Sequence, residues 1–296
     1  MRGQDLCVIV NPAAGKQRGR ERLAQIKRAW TGHAVFQPTT HPGHAAELAE
    51  RAASQGFSVV AAAGGDGTAH EVLNGLMRAG NPDVAFSIIP IGSANDYAYS
   101  LSLENPETPA LRRVDIGLAT TPAGRKVYFG CCLGMGLNGR VAYESRRIRK
   151  LQGVFLYGLA ALRSIIHHFD APAMTLLIDD EPAWTVPTLL FSVLAGKREG
   201  GFLFAPQAEV DDGWLDFVHA GDLSRWEILK LLPRLATSGP PANYPKVRQG
   251  RCRRVKVHSE APLLAHADGE FVCLPEENMH ALEIELLRGI LPVRVI

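Results

Sequence analysis

Over the first 120 residues, short apolar runs alternate with stretches of helical period, the pattern of βα units that feed a parallel sheet. Residues 6–10 predict a strand, and Leu23, Ile26 and Trp30, with charges between them, predict an amphipathic helix. Residues 33–37 follow as a second strand and residues 43–55, rich in Ala and Glu, as a second helix. The run 57–63 is apolar throughout, as a strand covered on both faces must be. Gly64, Gly65 and Gly67 end it, and Val72, Leu73, Leu76 and Met77 then mark one face of a third helix. Asn81-Pro82-Asp83 makes a turn, and residues 85–90 form the next strand, closed by 91–96.

From about residue 127 the pattern changes to strands separated by turns, at 126–133, 174–178, 184–194, 215–219, 255–258 and 282–286. Helical stretches interrupt it at 140–169, broken near Gly153 or Gly158, and at 225–237. The expected architecture is an α/β N-terminal domain with a parallel sheet, residues 1–120, and a mostly β C-terminal domain, residues 121–296. The join falls near 116–126, and the last residues are expected to return to the first domain.

Composition narrows the class. Hydrophobic residues at 46% and charged residues at 21% exclude a disordered or fibrous chain. The longest apolar stretches, 154–162 and 186–195, reach about half the length a spanning helix needs, and each holds Gly or Pro, so no transmembrane segment is expected. With no cleavage-site pattern behind residues 1–10, the expected location is the cytoplasm, at most peripheral to a membrane. A net charge of +2 gives no ground for a nucleic-acid partner. The five cysteines, at 7, 131, 132, 252 and 273, form no C-x-x-C pair and read as reduced core thiols. No spacing of the histidines with carboxylates or cysteines demands a metal, and they read as ordinary residues.

Chemistry enters at Gly64-Gly65-Asp66-Gly67-Thr68, between a buried strand and a helix. Closely spaced glycines there let backbone N–H groups approach an anion and accept positive φ, and a helix N-terminus favours negative charge. The pattern fits a phosphate cradle or a bare strand-to-helix turn. It is not a Walker P-loop, since Gly15-Lys16 lacks the earlier glycine and a following Ser or Thr. A literal G-x-G-x-x-G at Gly134, Gly136 and Gly139 lacks the acidic residue a dinucleotide site places about 20 positions on. Those glycines are expected to shape a cleft wall.

Taken in order, Asn11-Pro12-Ala-Ala-Gly15-Lys16, Gly64 to Thr68 and Ile91-Gly92-Ser93-Ala94-Asn95-Asp96-Tyr97-Ala98 resemble the motifs of the diacylglycerol kinase catalytic domain family. That family includes sphingosine, ceramide and bacterial lipid kinases, and the NAD kinases share its G-G-D-G motif. The resemblance continues through Asp115-Ile-Gly117, Gly200-Gly201 to Pro206, Asp212-Gly213-Trp-Leu-Asp216 and Asp268-Gly269-Glu270. Two positions depart from the pattern: Ser93 stands for the usual Thr and keeps the hydroxyl, and Phe202 stands for a third glycine and alters the loop.

The resemblance implies an ATP- and Mg²⁺-dependent lipid kinase that transfers the γ-phosphoryl group to a lipid hydroxyl, such as that of diacylglycerol, with nucleotide in the interdomain cleft. It implies that Gly64, Gly65, Asp66, Gly67 and Thr68 cradle ATP, with Asn11, Gly92, Ser93 and Asn95 on the other side. Asp66, Asp96 and Asp115 match the acids of an active-site Mg²⁺ network, and hard oxygen ligands are what Mg²⁺ prefers. As local structure, Asp96 would be an N-cap and Asp115 a turn acid. Asp268 matches the general base, with Glu270 orienting it or holding metal, while a D-G pair also makes an ordinary hairpin turn. Asp211, Asp212 and Asp216 match a stretch that in some bacterial relatives holds a structural Mg²⁺, and equally fit a solvated β-turn.

Arg146, Arg147, Arg149 and Lys150 precede an apolar helical stretch through Leu151, Val154, Phe155, Leu156, Tyr157, Leu159, Leu162, Ile165 and Ile166. That combination suits docking on anionic lipid, and equally a core helix beside a solvated charge run. Arg251, Arg253, Arg254 and Lys256 read as a solvated strand face. Sheet edges of the second domain offer a surface for a homodimer that no sequence feature demands. The alternatives are an NAD or other small-molecule kinase of the same superfamily, disfavoured by the Asn11, Ser93 and Asp268 motifs, and a non-catalytic ATP-binding regulatory protein. The latter gives no chemical reason to hold Asp66, Asp96, Asp115 and Asp268 together.

Overall fold

The computed structural model describes residues 5–14, 16–30, 32–103, 105, 108, 110–148, 151 and 153–296. Gly15, Arg149 and Lys150 of the motifs above lie outside the described residues, as do the side chains of Lys16 and Val154. The first half runs β1 (Leu6–Val10), α1 (Lys16–Ala29), β2 (Ala34–Pro38), α2 (His44–Ser54), β3 (Val59–Gly64), α3 (Asp66–Ala79), β4 (Ala85–Pro90) and α4 (Asp96–Ser100). The strands pair in parallel in the order β2-β1-β3-β4. All six residues of β3 are buried, because α2 and α3 cover one face through Leu48, Ala49, Val72 and Leu73 while Ile26 of α1 closes the other.

The chain continues through β5 (Leu111–Thr120), β6 (Lys126–Phe129), β7 (Cys132–Gly136), α5 (Leu137–Ser145), α6 (Gly153–His167), β8 (Ala173–Ile178), β9 (Trp184–Pro187) and β10 (Leu190–Leu194). It then forms β11 (Arg198–Glu199), β12 (Phe202–Leu203), β13 (Leu215–Ala220), α7 (Arg225–Thr237), β14 (Val247–Cys252), β15 (Arg254–Ser259), β16 (Ala265–Ala267), β17 (Glu270–Cys273) and β18 (Ala281–Arg294). Six antiparallel strands, β14-β13-β10-β7-β16-β17, form one sheet. Its inner face packs Leu133, Met135, Phe191 and Phe217 against Leu176, Val257 and Ile284 of β8, β15 and β18. Its outer face, through Leu190, Leu194 and Val218, meets α5, α6 and α7.

The last strand joins the two halves. β18 pairs antiparallel with β15 and β5, and near its end Val293 pairs in parallel with Phe86 of β4. One ten-stranded sheet therefore runs from the parallel strands into the second half. Several elements differ from expectation. The run 126–133 is two strands, broken at Gly130 and Cys131, and 184–194 is broken after Pro187. The stretch 140–169 breaks at Gly153, whose φ of 59° suits glycine, and not at Gly158. Strand 282–286 extends to 14 residues, carried past a bulge between Leu287 and Leu291. All five cysteines are free and buried. Among the described residues no helix is long and apolar enough to cross a membrane.

Candidate active site

Two loops meet where β3 and β4 end. Ile91 donates its N–H to the Gly64 carbonyl at 3.1 Å. A Cβ on Gly92 would lie 2.3 Å from the Gly65 Cα, so no side chain fits between the two backbones. Crowding requires glycine at 92, and at 64, where a Cβ would overlap the Thr68 side chain, while at Gly65 and Gly67 the nearest atom lies 3.4 Å away; φ is not positive at any of the four. Gly65 precedes α3 without a side-chain cap, which leaves the first-turn amides of that helix without an acceptor from the cap residue. Asn11, just past β1, donates from Nδ2 to Thr68 Oγ1 at 3.2 Å. Asn95, at φ 54°, closes the second loop by two 3.1 Å hydrogen bonds with the backbone of Gly92, and Ser93 between them is exposed. Asn11, Gly64 to Thr68 and Gly92 to Asn95 are thus brought together at one edge of the parallel sheet.

Asp66 and Asp96 are the first residues of α3 and α4. Asp66 accepts the N–H of Asn95 at 2.9 Å and of Tyr97 at 3.3 Å, which ties the two helix starts together. Asp96 caps nothing, since Asn95 holds the cap position; both its oxygens instead accept the Gly201 N–H, at 2.9 and 3.1 Å. Burial raises the pKa of Asp66. Burial first, and then the charge of Asp66, push Asp96 up to about 7, against the pull of Gly201 and Arg198. The charge of Asp268 adds to the rise at Asp66, and desolvated carboxylates of this kind fit a hard divalent cation, whose charge would relieve both Asp66 and Asp96.

Asp268 and Gly269, at φ 51° and 90°, turn the chain from β16 into β17, so the D-G hairpin is real. The turn also aims the carboxylate inward, with its side chain only 5% exposed. Oδ1 accepts the N–H groups of Cys131 and Cys132 at 2.9 Å, and Oδ2 accepts that of Gly130 at 2.9 Å and faces His70 Nδ1 at 3.3 Å. This is what breaks the strand expected over 126–133: the kink points three consecutive amides at one carboxylate. Glu270 pairs with Arg146 at 2.7 Å and approaches α3, where a Cβ on Gly67 would lie 3.4 Å from its Oε1.

The other acids stand elsewhere. Asp115 lies inside β5, buried, with its oxygens accepting the N–H groups of Gly213 and Gly289 at 2.6 Å. It binds the 213 turn to the β18 bulge and does not line the cavity that Asp66, Asp96 and Asp268 line. Asp212 accepts the Trp214 N–H at 3.1 Å and pairs with Arg251. Asp216 accepts from Gln207 at 2.9 Å, lies 4.0 Å from the same arginine, and has its pKa raised by burial. Arg251, Arg253, Arg254 and Lys256 are all exposed, as a solvated face requires, and the first two also reach this loop, Arg253 stacking on Trp214.

From Asp66, Asp96 and Asp268 a cavity extends between the six-stranded sheet and α5, α6 and α7, with about 1230 Å³ of empty space, part of it open to solvent. Its body is apolar, lined among others by Leu190, Phe202, Phe204, Ile228 and Leu232. Leu137, beside Gly136 and Gly139, lines it too, so the G-x-G-x-x-G segment stands at its wall. Near the acids Glu199 accepts from His266 at 3.0 Å, from Ser192 at 2.7 Å and from Asn138 at 3.1 Å, while His266 Nδ1 accepts the Gly269 N–H at 3.2 Å. His70, His266, Glu199 and Asn138 carry no motif role in the sequence. His266, two residues before Asp268, and His70, inside the helix behind the glycine loop, had only their closeness to motif residues as a signal.

The diacylglycerol kinase catalytic domain family matches residues 5–144, and the YegS C-terminal NAD kinase beta sandwich-like domain family matches residues 131–286. A diacylglycerol kinase of Staphylococcus aureus is 27% identical over 271 residues, covering 89% of this chain and 85% of that protein. One from Staphylococcus saprophyticus is 27% identical over 276 residues, covering 89% and 88%. The crystal structure of a diacylglycerol kinase from Bacillus anthracis superposes with a TM-score of 0.73 at 19% identity, over 100% of this chain and 98% of that one, and shares its fold.

Proposed function

We propose, for a chain that belongs to the diacylglycerol kinase family and is on that ground a lipid kinase, that it uses ATP and Mg²⁺ to phosphorylate the hydroxyl of a lipid whose acyl chains lie in the cavity. One observation carries the reading: an apolar cavity ends at three buried or half-buried carboxylates beside a glycine-rich helix start. A substrate with a greasy body and one reactive polar end matches that lining, and a dinucleotide does not.

In this reading the α3 amides and the Gly92 to Asn95 loop hold the ATP phosphates, with Asn11 fixing Thr68. Asp66 and Asp96 would hold Mg²⁺, which when bound supplies charge neutralisation for the phosphates. The lipid hydroxyl oxygen forms the new bond to the γ-phosphorus as the bond to the β–γ bridging oxygen breaks and ADP leaves. Asp268 receives the hydroxyl proton. Four donors already face that carboxylate, and the His70 contact, the longest at 3.3 Å, is the one to give way to substrate. In a loose transition state positioning outweighs proton abstraction, so an acid held this firmly is still suited to the task. Glu270 and its partner Arg146 brace the same turn.

The test is transfer of labelled γ-phosphate from ATP to diacylglycerol, phosphatidylglycerol, sphingosine, undecaprenol and NAD, the lipids in mixed micelles. A labelled lipid is expected, with turnover falling about 10²-fold or more in Asp268→Ala while ATP binding by calorimetry survives. Label on NAD alone, or a mutant at the wild-type rate, overturns the substrate class or the role of Asp268 respectively.

A further inference from the structure

We infer that the outer faces of α6 and α7 form a docking surface for an anionic phospholipid bilayer, an inference that rests on the lipid-kinase reading above. These two helices are the wall between the cavity and solvent. Tyr157, Ala161 and Ile165, four residues apart on α6, line the cavity, as do Ile228 and Leu232 of α7. The opposite face of α6 is equally apolar: Phe155 is 81% exposed, Ile166 55% and Leu162 40%, at spacings of seven and four residues. A helix apolar on both faces needs an apolar partner on both, and this fold supplies one.

The second helix extends the patch. Trp226 of α7 is 75% exposed, and its neighbour Arg225 donates from Nε to the Ile165 carbonyl at 2.9 Å, which ties the start of α7 to the Ile165–Ile166 end of α6. Charge selects the occupant. α6 contains no acidic residue, and the one acid of α7, Glu227, is held by Ser224, Tyr244 and Lys246. The exposed cations Arg163, Arg225, Lys230 and Arg234 outnumber the exposed Asp170 and Asp222 at the helix ends. Aromatic and aliphatic side chains ringed by arginine and lysine match the boundary of an anionic leaflet, and an acyl-chain substrate can be drawn from that phase without crossing water. At its start α6 abuts the nucleotide loop, where a Cβ on Gly153 would lie 3.3 Å from the Ser93 carbonyl.

The test uses the full chain with phosphatidylcholine vesicles, with and without phosphatidylglycerol. Sedimentation with the anionic vesicles is expected, with much less on pure phosphatidylcholine. Phe155→Ser combined with Trp226→Ser should weaken it about tenfold or more, and Arg163→Glu with Lys230→Glu should do the same. The apolar double variant should keep wild-type turnover on a short-chain, water-dispersed diacylglycerol and lose it on long-chain diacylglycerol in vesicles. Wild-type sedimentation by the double variant overturns the docking surface, as does a dimer in analytical ultracentrifugation that the same changes dissociate. Failure of the wild type to phosphorylate any lipid, with vesicle binding intact, would instead sink the kinase reading and leave the docking surface standing.

Discussion

Asp268 has room for about four hydrogen bonds, and three amides and one imidazole are aimed at it. A side chain so held cannot drift, and its immobility fixes this carboxylate at the end of the apolar cavity, where the proposed reaction needs a proton acceptor. Gly92 is decided at the same scale by a different force. A methyl there would meet backbone, not a movable side chain, 2.3 Å away at Gly65. Gly92→Ala must therefore part the two glycine loops, and if these hold the nucleotide as proposed, ATP affinity is expected to fall about tenfold or more with stability down by about 2 kcal/mol. Ser93→Ala, at an exposed hydroxyl, should cost ATP affinity only a few-fold. Calorimetric titration of both variants checks the contrast, and equal affinities would show that the loops do not need their close approach.

Among the elements, the turn between residues 210 and 214 shows how a guanidinium settles the charge of neighbouring acids. Arg251 at the end of β14 reaches both Asp212 and the buried Asp216. Arg251→Ala leaves Asp216 with Gln207 alone, a loss of about 1–2 kcal/mol for a half-exposed pair. Should these acids also accept Mg²⁺, excess Mg²⁺ would raise the melting temperature of the variant more than that of the wild type. An equal response in both would show that Asp212 and Asp216 do not take up Mg²⁺. The β16–β17 hairpin follows a related logic: three residues of β16 could form no stable strand alone, and β7 on its other side supplies the pairing.

For the whole molecule, pH reads the packing of the six-stranded sheet. His219 sits among Thr188, Trp184 and Phe191, and burial first, with Arg248 adding to it, lowers its pKa to about 4. An unfolded chain binds this proton near pH 6.5 and the folded one refuses it. The contribution is therefore fully present above pH 6.5 and is lost as pH falls towards 4, by roughly 3 kcal/mol in all. His219→Gln should flatten the stability curve over that window in urea titrations at several pH values. An unchanged slope would show that the imidazole is hydrated in the native state.

Local signals in the sequence were sufficient for the βα alternation, the glycine loops at 64–68 and 91–95 and the acids beside them, because strand period, helix starts and backbone approach are written in neighbouring residues. The family resemblance placed Asp66, Asp96 and Asp268 in one reaction. Contacts between distant segments were beyond such signals. Only the tertiary structure brought His70 and Asp268, 198 positions apart, to one point and set Asp115 apart from the other acids. It also returned β18 to β4 and made α6 the wall of a cavity with an apolar outer face. Pairing across such separations depends on where whole sheets pack, and no window along the chain contains both partners.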